Sequence, residues 1–205
     1  SNRYNNPKES TKMLLKILKK KSVKNKNIKI LDIGCANGEL IYFLKKKLGD
    51  KIQFYGFDIR QDLLNKAKKK LPDVHFKKVD ISKKIKISEK FDIIICAGVI
   101  CIFDELNIFF KNLRQISKPK GRIFIFDKLN EYDFNVFNKY KDINLKRDIL
   151  QSGWNTWSIN YLKRFLKNKK LLIHKFSIKI DVKKRSNDLI PVTTLSGLYS
   201  YIAKV

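Results

Sequence analysis

The run Ile30-Leu31-Asp32-Ile33-Gly34-Cys35-Ala36-Asn37-Gly38-Glu39-Leu40 joins a β-branched segment to a helix-like one through two glycines. Glycines at such a junction let the chain turn tightly and bring backbone amides close to a ligand. Asp32, Gly34, Cys35, Ala36, Asn37 and Gly38 are therefore expected to form a binding loop. The spacing is not the G-x-G-x-x-G of dinucleotide sites, and the loop lacks the lysine of a P-loop, which disfavours pyrophosphate or ATP. Asp58 follows 20 residues after Gly38, with Ile59 beside it. A carboxylate there can accept hydrogen bonds from both hydroxyls of a ribose. Asp80 could accept from an adenine amino group while Ile81 packs on the ring, and the small Ala97-Gly98 pair leaves room for a ligand. The chemistry implied is recognition of a nucleoside-bearing molecule.

These residues need strands to hold them at one end of a sheet. Apolar β-rich runs at 28–33, 53–58, 74–79, 91–97 and 122–126 alternate with helical periodicity at 39–48, 63–71 and 105–116. Each candidate then falls at the carboxyl end of a strand. Residues 119–121 (Pro-Lys-Gly) read as a turn. A leading amphipathic helix at 9–21, a short helix at 160–167 and strands at 171–182 and 198–205 complete the pattern. The expected fold is α/β: a doubly wound, mainly parallel seven-stranded sheet with an antiparallel C-terminal edge hairpin and helices on both faces. One domain is expected over 1–205, with a core at 28–127 and a substrate-facing cover at 128–168.

The order of these four strand ends resembles class I, Rossmann-like S-adenosylmethionine-dependent methyltransferases over roughly residues 28–127. The resemblance implies S-adenosylmethionine as cofactor and S-adenosylhomocysteine as product. It implies that the loop at 34–38 passes the methionine part, that Asp58 holds the ribose and Asp80 reads adenine, and that Asp32 orients the loop or receives the ammonium group.

The acceptor is less legible. Methyl transfer from a sulfonium needs in-line positioning, and a base only where the acceptor must lose a proton. Asp127, after the fifth strand, is the best-placed acid. His75 and His174 fall inside predicted strands and are expected to be structural. There is no Asn/Asp-Pro-Pro-Tyr/Phe and no Pro-Cys after a strand, which disfavours those routes to base methylation. Residues 127–160 balance Lys128, Lys139, Lys141, Lys146 and Arg147 against Asp127, Glu131, Asp133, Asp142 and Asp148, so the cover is neutral. Asn130, Tyr132, Trp154, Asn155 and Trp157 suit a polar acceptor such as a saccharide or nucleotide-activated precursor, which packs on rings and finds hydrogen bonds beside them. The run Phe134-Asn135-Val136-Phe137 through Tyr140, followed by Gly153-Trp154-Asn155, resembles bacterial methyltransferases found with surface-polysaccharide biosynthesis. The first reading is O- or N-methylation of a small polar metabolite or sugar derivative. An RNA methyltransferase and a non-catalytic cofactor-binding scaffold are the alternatives.

The formal charge of +27 suggests phosphate binding, yet 39 of the 46 basic residues are lysines scattered over several elements. Nucleic acid is therefore a possible partner but not the favoured one. Cys35, Cys96 and Cys101 are odd in number and form no C-x-x-C, against a disulfide framework or a zinc site, and no metal is expected. With no apolar run of about 20 residues and no signal-peptide pattern, a cytoplasmic protein without membrane insertion is expected.

Overall fold

The computed structural model describes Tyr4 and residues 6–20, 27–49, 51–141, 150–166, 172–177 and 199–204. Helix α1 (Glu9–Lys20) precedes β1 (Ile28–Ile33), α2 (Glu39–Leu48), β2 (Ile52–Asp58), α3 (Gln61–Lys70), β3 (His75–Lys78), β4 (Phe91–Ala97), α4 (Asn107–Ile116) and β5 (Ser117–Asn130). After β5 come the short strands β6 (Lys139–Tyr140), β7 (Gln151–Ser152) and β8 (Trp157–Ser158), then α5 (Ile159–Phe165), β9 (Leu172–Ser177) and β10 (Tyr199–Lys204).

The main path of the sheet runs β3-β2-β1-β4-β5-β10-β9. β1 pairs in parallel with both β2 and β4, so the winding direction reverses between β1 and β4, where open α/β sheets bind ligands. The α/β architecture is as the periodicity implies, and the C-terminal strands form the expected antiparallel hairpin at the edge, β10 pairing with β5 on one side and with the edge strand β9 on the other. Two details differ. β8 pairs with the far end of β5, which makes eight strands rather than seven. Residues 119–121 do not end a strand: β5 begins at Ser117 and absorbs them as an irregularity, its register moving from Phe91↔Ser117 to Ile93↔Arg122. The predicted strand ends at 171, 178–182, 198 and 205 lie outside the described residues.

β4 explains why the two faces need different helices. Ile93 and Ile95 pack with Leu14 and Leu18 of α1, Ile41 and Leu44 of α2 and Leu64 of α3. Ile94 and Cys96 pack on the other face with Phe109, Leu113 and Ile116 of α4 and with Trp157 and Leu162 from the region after β5. Each such aliphatic side chain contributes roughly 1.5–3 kcal/mol by leaving water. The cost is that β4 tolerates almost no polar substitution.

Candidate active site

At the end of β1 the chain turns under Val99. Gly34 has φ 72, and a Cβ on it would lie 2.7 Å from Val99 Cγ2, so both the backbone and the space demand glycine. The Gly34 and Cys35 amides donate to the Phe57 carbonyl at 2.8 and 3.1 Å, and Gly38 N donates to Cys35 O at 2.8 Å. Asp58, at the end of β2, is tied to this loop. One carboxylate oxygen accepts from Ala36 N at 2.8 Å and the other from Arg60 N at 2.9 Å. An ionised carboxylate has about four acceptor positions, so both oxygens keep capacity for ligand hydroxyls. The Tyr4 hydroxyl donates to Asn37 O at 2.7 Å, holding the far side of the loop.

The loop encloses a cavity of about 290 Å³. Asp32, Gly34, Cys35, Ala36, Asn37, Ala97 and Gly98 all line it, so seven of the residues expected from sequence meet there, joined by Phe126 of β5. Gly38 lies just behind, where α2 starts. Asp32 is 3% exposed, and its carboxylate makes no hydrogen bond with another described residue. Burial, and then the neighbouring Asp58 charge, push its carboxyl well above the ordinary carboxylate range. A buried acid facing a cavity without a partner is costly unless a ligand supplies a donor or a cation. Asp80 and Ile81 do not line this cavity. Asp80 closes its own turn, accepting from Ser82 N at 3.0 Å, and Ile81 is buried beneath it, its carbonyl held by Asn112 Nδ2 at 2.9 Å. Ile59 is exposed beside Asp58.

The other wall was not foreseen. Pro7, Lys8, Ser10 and Thr11, at the start of α1, also line the cavity. The apolar stripe of this helix announced only that it packs on the sheet. Ser10 is nonetheless buried, its hydroxyl without a hydrogen bond to another described residue, and Ser10 and Thr11 also border a small apolar alcove formed with Leu14, Phe124 and Phe126. Two adjacent hydroxyl residues just ahead of the stripe were the available signal.

Asp127 is buried away from the cavity. Its carboxylate accepts from Cys101 N at 3.0 Å and from Lys128 N at 2.9 Å. Burial pushes its pKa up to about 6, against the lowering effect of these amides. It anchors the segment after β4, to which the cover is also fastened. Trp157 is buried and donates from Nε1 to Ile100 O at 2.9 Å. Asn155 is buried, donates from Nδ2 to Phe103 O at 2.8 Å and to Asp104 Oδ1 at 3.0 Å, and accepts from Asn138 N at 2.8 Å. Asn130 is buried and donates to Phe134 O at 3.1 Å. These three hold the cover together from within. Tyr132, stacked on Phe134, and Trp154, against Tyr140, are half exposed. None of the five lines the cavity.

The three cysteines are free. Burial, with nearby acids, raises all of their thiols, Cys101 to about 12, so none is a thiolate nucleophile near neutral pH. His75 lies on β3 and His174 on β9. Among the described residues no cluster could hold a metal ion, and no helix is long and apolar enough to cross a membrane.

Residues 24–177 match the family model described as a methyltransferase domain. The chain belongs to that family. The methyltransferase is 30% identical over 124 residues to ribosomal protein L11 methyltransferase of Campylobacter lari, covering 60% of this chain and 43% of that protein. It is 25% identical over 186 residues to ubiquinone biosynthesis O-methyltransferase of Pelagibacter ubique, covering 70% and 76%. The chain thus spans less than half the length of the first of these relatives. In fold it is similar to an S-adenosylmethionine-dependent methyltransferase from Clostridium acetobutylicum, with TM-score 0.63, 16% identity and coverage of 95% and 90%. Family and architecture are those of the class I, S-adenosylmethionine-dependent methyltransferases. The site fits that cofactor: the unpartnered Asp32 carboxylate matches an ammonium group, and the glycine loop admits a backbone contact that a side chain at Gly34 would disturb.

Proposed function

We propose that this chain transfers a methyl group from S-adenosylmethionine to an oxygen or nitrogen of a small polar metabolite or sugar derivative, acting as one domain in the cytoplasm. The bound cofactor supplies an electrophilic methyl group on a sulfonium. The residues of the chain do the rest. Asp32 receives the ammonium group, and the backbone of the loop at 34–38 passes along the methionine part. Asp58 keeps acceptor capacity for the ribose hydroxyls, with Ile59, Asp80 and Ile81 at the adenine end.

The acceptor reading rests on polarity. Ser10 and Thr11 at the start of α1 border the glycine-loop cavity and bring hydroxyl side chains to its wall. Tyr132 and Trp154 are exposed ring faces on a neutral cover, suited to the outlying part of a saccharide or nucleotide-activated precursor. Asp127 serves as a positioning residue through Cys101 N, so catalysis comes from proximity and orientation of an acceptor carrying its own lone pair.

The single observation that carries the proposal is the buried, unpartnered Asp32 carboxylate on the cavity wall. Calorimetric titration with S-adenosylhomocysteine should show binding weakened about tenfold or more by Asp32→Asn, since hydrogen bonds to charged partners are worth about 1.5–3 kcal/mol. Unchanged affinity would refute this role. Turnover of S-adenosylmethionine across a panel of sugar phosphates, nucleotide sugars and small amines should yield S-adenosylhomocysteine with at least one; silence throughout would favour a non-catalytic scaffold.

A further inference from the structure

The connections through α2, α3 and α4 are helical, as parallel strands usually require. The connection from β3 to β4 is the exception. Residues 79–90 make a turn and then run without helix or strand. Beside it lies a second cavity of about 540 Å³, larger than the one at the glycine loop and within the range of ligand sites.

Its lining combines rings and free cations. Tyr55 of β2 stacks on His75 of β3, with centroids 5.0 Å apart and planes at 25°, while Phe91 meets Tyr55 edge-on at 5.1 Å. Lys29 Nζ lies 5.9 Å from the centroid of the Tyr55 ring. His75 is the outermost ring, exposed and on the edge strand, so the stack ends at the border of the sheet. Lys68, Lys77 and Lys86 line the same cavity, and none pairs with a carboxylate among the described residues. Glu89, also in the lining, is paired with Lys29. Scattered lysines alone say little in so basic a chain; here they coincide with a ring platform and an open cavity at the sheet edge. A π face combined with unpaired cations is the chemistry that holds a base and its phosphate.

We propose that this cavity binds a nucleotide unit, its base continuing the stack on His75 and its phosphate held by Lys68, Lys77 and Lys86. The unit is either a free mononucleotide or one residue of single-stranded RNA. The site is separate from the glycine-loop cavity, so it stands whatever the methyl acceptor proves to be.

The test is fluorescence anisotropy with a labelled oligouridylate, beside calorimetry with UMP, on the intact chain. Lys77→Glu/Lys86→Glu should weaken binding about tenfold or more, whereas Lys46→Glu/Lys47→Glu on α2, with the same change in net charge, should leave it within about threefold. His75→Ala should weaken binding severalfold and His75→Phe should restore it, because the ring face carries the contact. Affinity for S-adenosylhomocysteine should stay constant in every variant, which reports that the fold is intact. Binding of UMP that depends on His75 identifies a free nucleotide; binding of the oligomer alone identifies an RNA strand. The proposal is overturned by absence of binding at low salt, by equal losses in the α2 control, or by indifference to His75→Ala.

Discussion

Gly34→Ala offers a perturbation whose cost divides into two separable parts. The new residue must hold φ near 72 and set its Cβ 2.7 Å from Val99 Cγ2. A left-handed conformation costs an ordinary residue about 1–2 kcal/mol. The overlap with a buried methyl adds about 1–3 kcal/mol. Gly98 is the natural control: its φ is 71, but a Cβ there meets nothing within 4 Å, so Gly98→Ala should cost only the backbone part. Val99→Ala removes the offending methyl and leaves Val99 Cβ at 4.0 Å from the Gly34 Cβ, an ordinary contact. The two changes together should therefore cost less than their sum, by about 1–3 kcal/mol. Urea denaturation of the four proteins of the cycle, followed by circular dichroism, measures this coupling. Additivity within about 0.5 kcal/mol, or a Gly98→Ala cost equal to that of Gly34→Ala, would refute the contact as the reason for glycine.

Asp127 predicts a pH dependence. Its folded pKa near 6 lies above the ordinary carboxylate value of about 3.9, so the folded state holds the proton more tightly. The sign follows: this group's contribution is neutral below about pH 4, declines as pH rises through 6, and reaches a penalty of about 3 kcal/mol near neutrality. Asp127→Asn removes that dependence, so its stability relative to the parent should improve by about 3 kcal/mol between about pH 4 and pH 7 in urea titrations; a flat difference would contradict it. Trp157→Phe leaves the buried Ile100 carbonyl without its donor and opens space, a loss of about 2–4 kcal/mol. Thermal unfolding should fall by several degrees, while S-adenosylhomocysteine affinity changes little.

Much of the glycine-loop cavity was legible because its signals are local. A β-branched run, two glycines and a helical apolar stripe are set by neighbouring residues and need no distant contact. The strand ends at Asp58 and Ala97 followed from the same periodicity, as did the paired burial of β4. The cover was not legible in this way. Trp154 and Trp157 stand three residues apart in one polar-aromatic stretch, yet one is half exposed and the other is buried against Ile100. Nothing in their spacing separates the two, because the choice depends on β8 joining the end of β5.

Local order along this chain therefore specified a strand-loop-helix with a carboxylate at each of several strand ends, since turn chemistry and hydrophobic period act over a few residues. Docking decided the rest. The start of α1 closes the cavity, and Asp127 turns into the interior. Each arises from contacts between segments far apart in sequence, whose free energy depends on how the faces meet and not on the composition of either one.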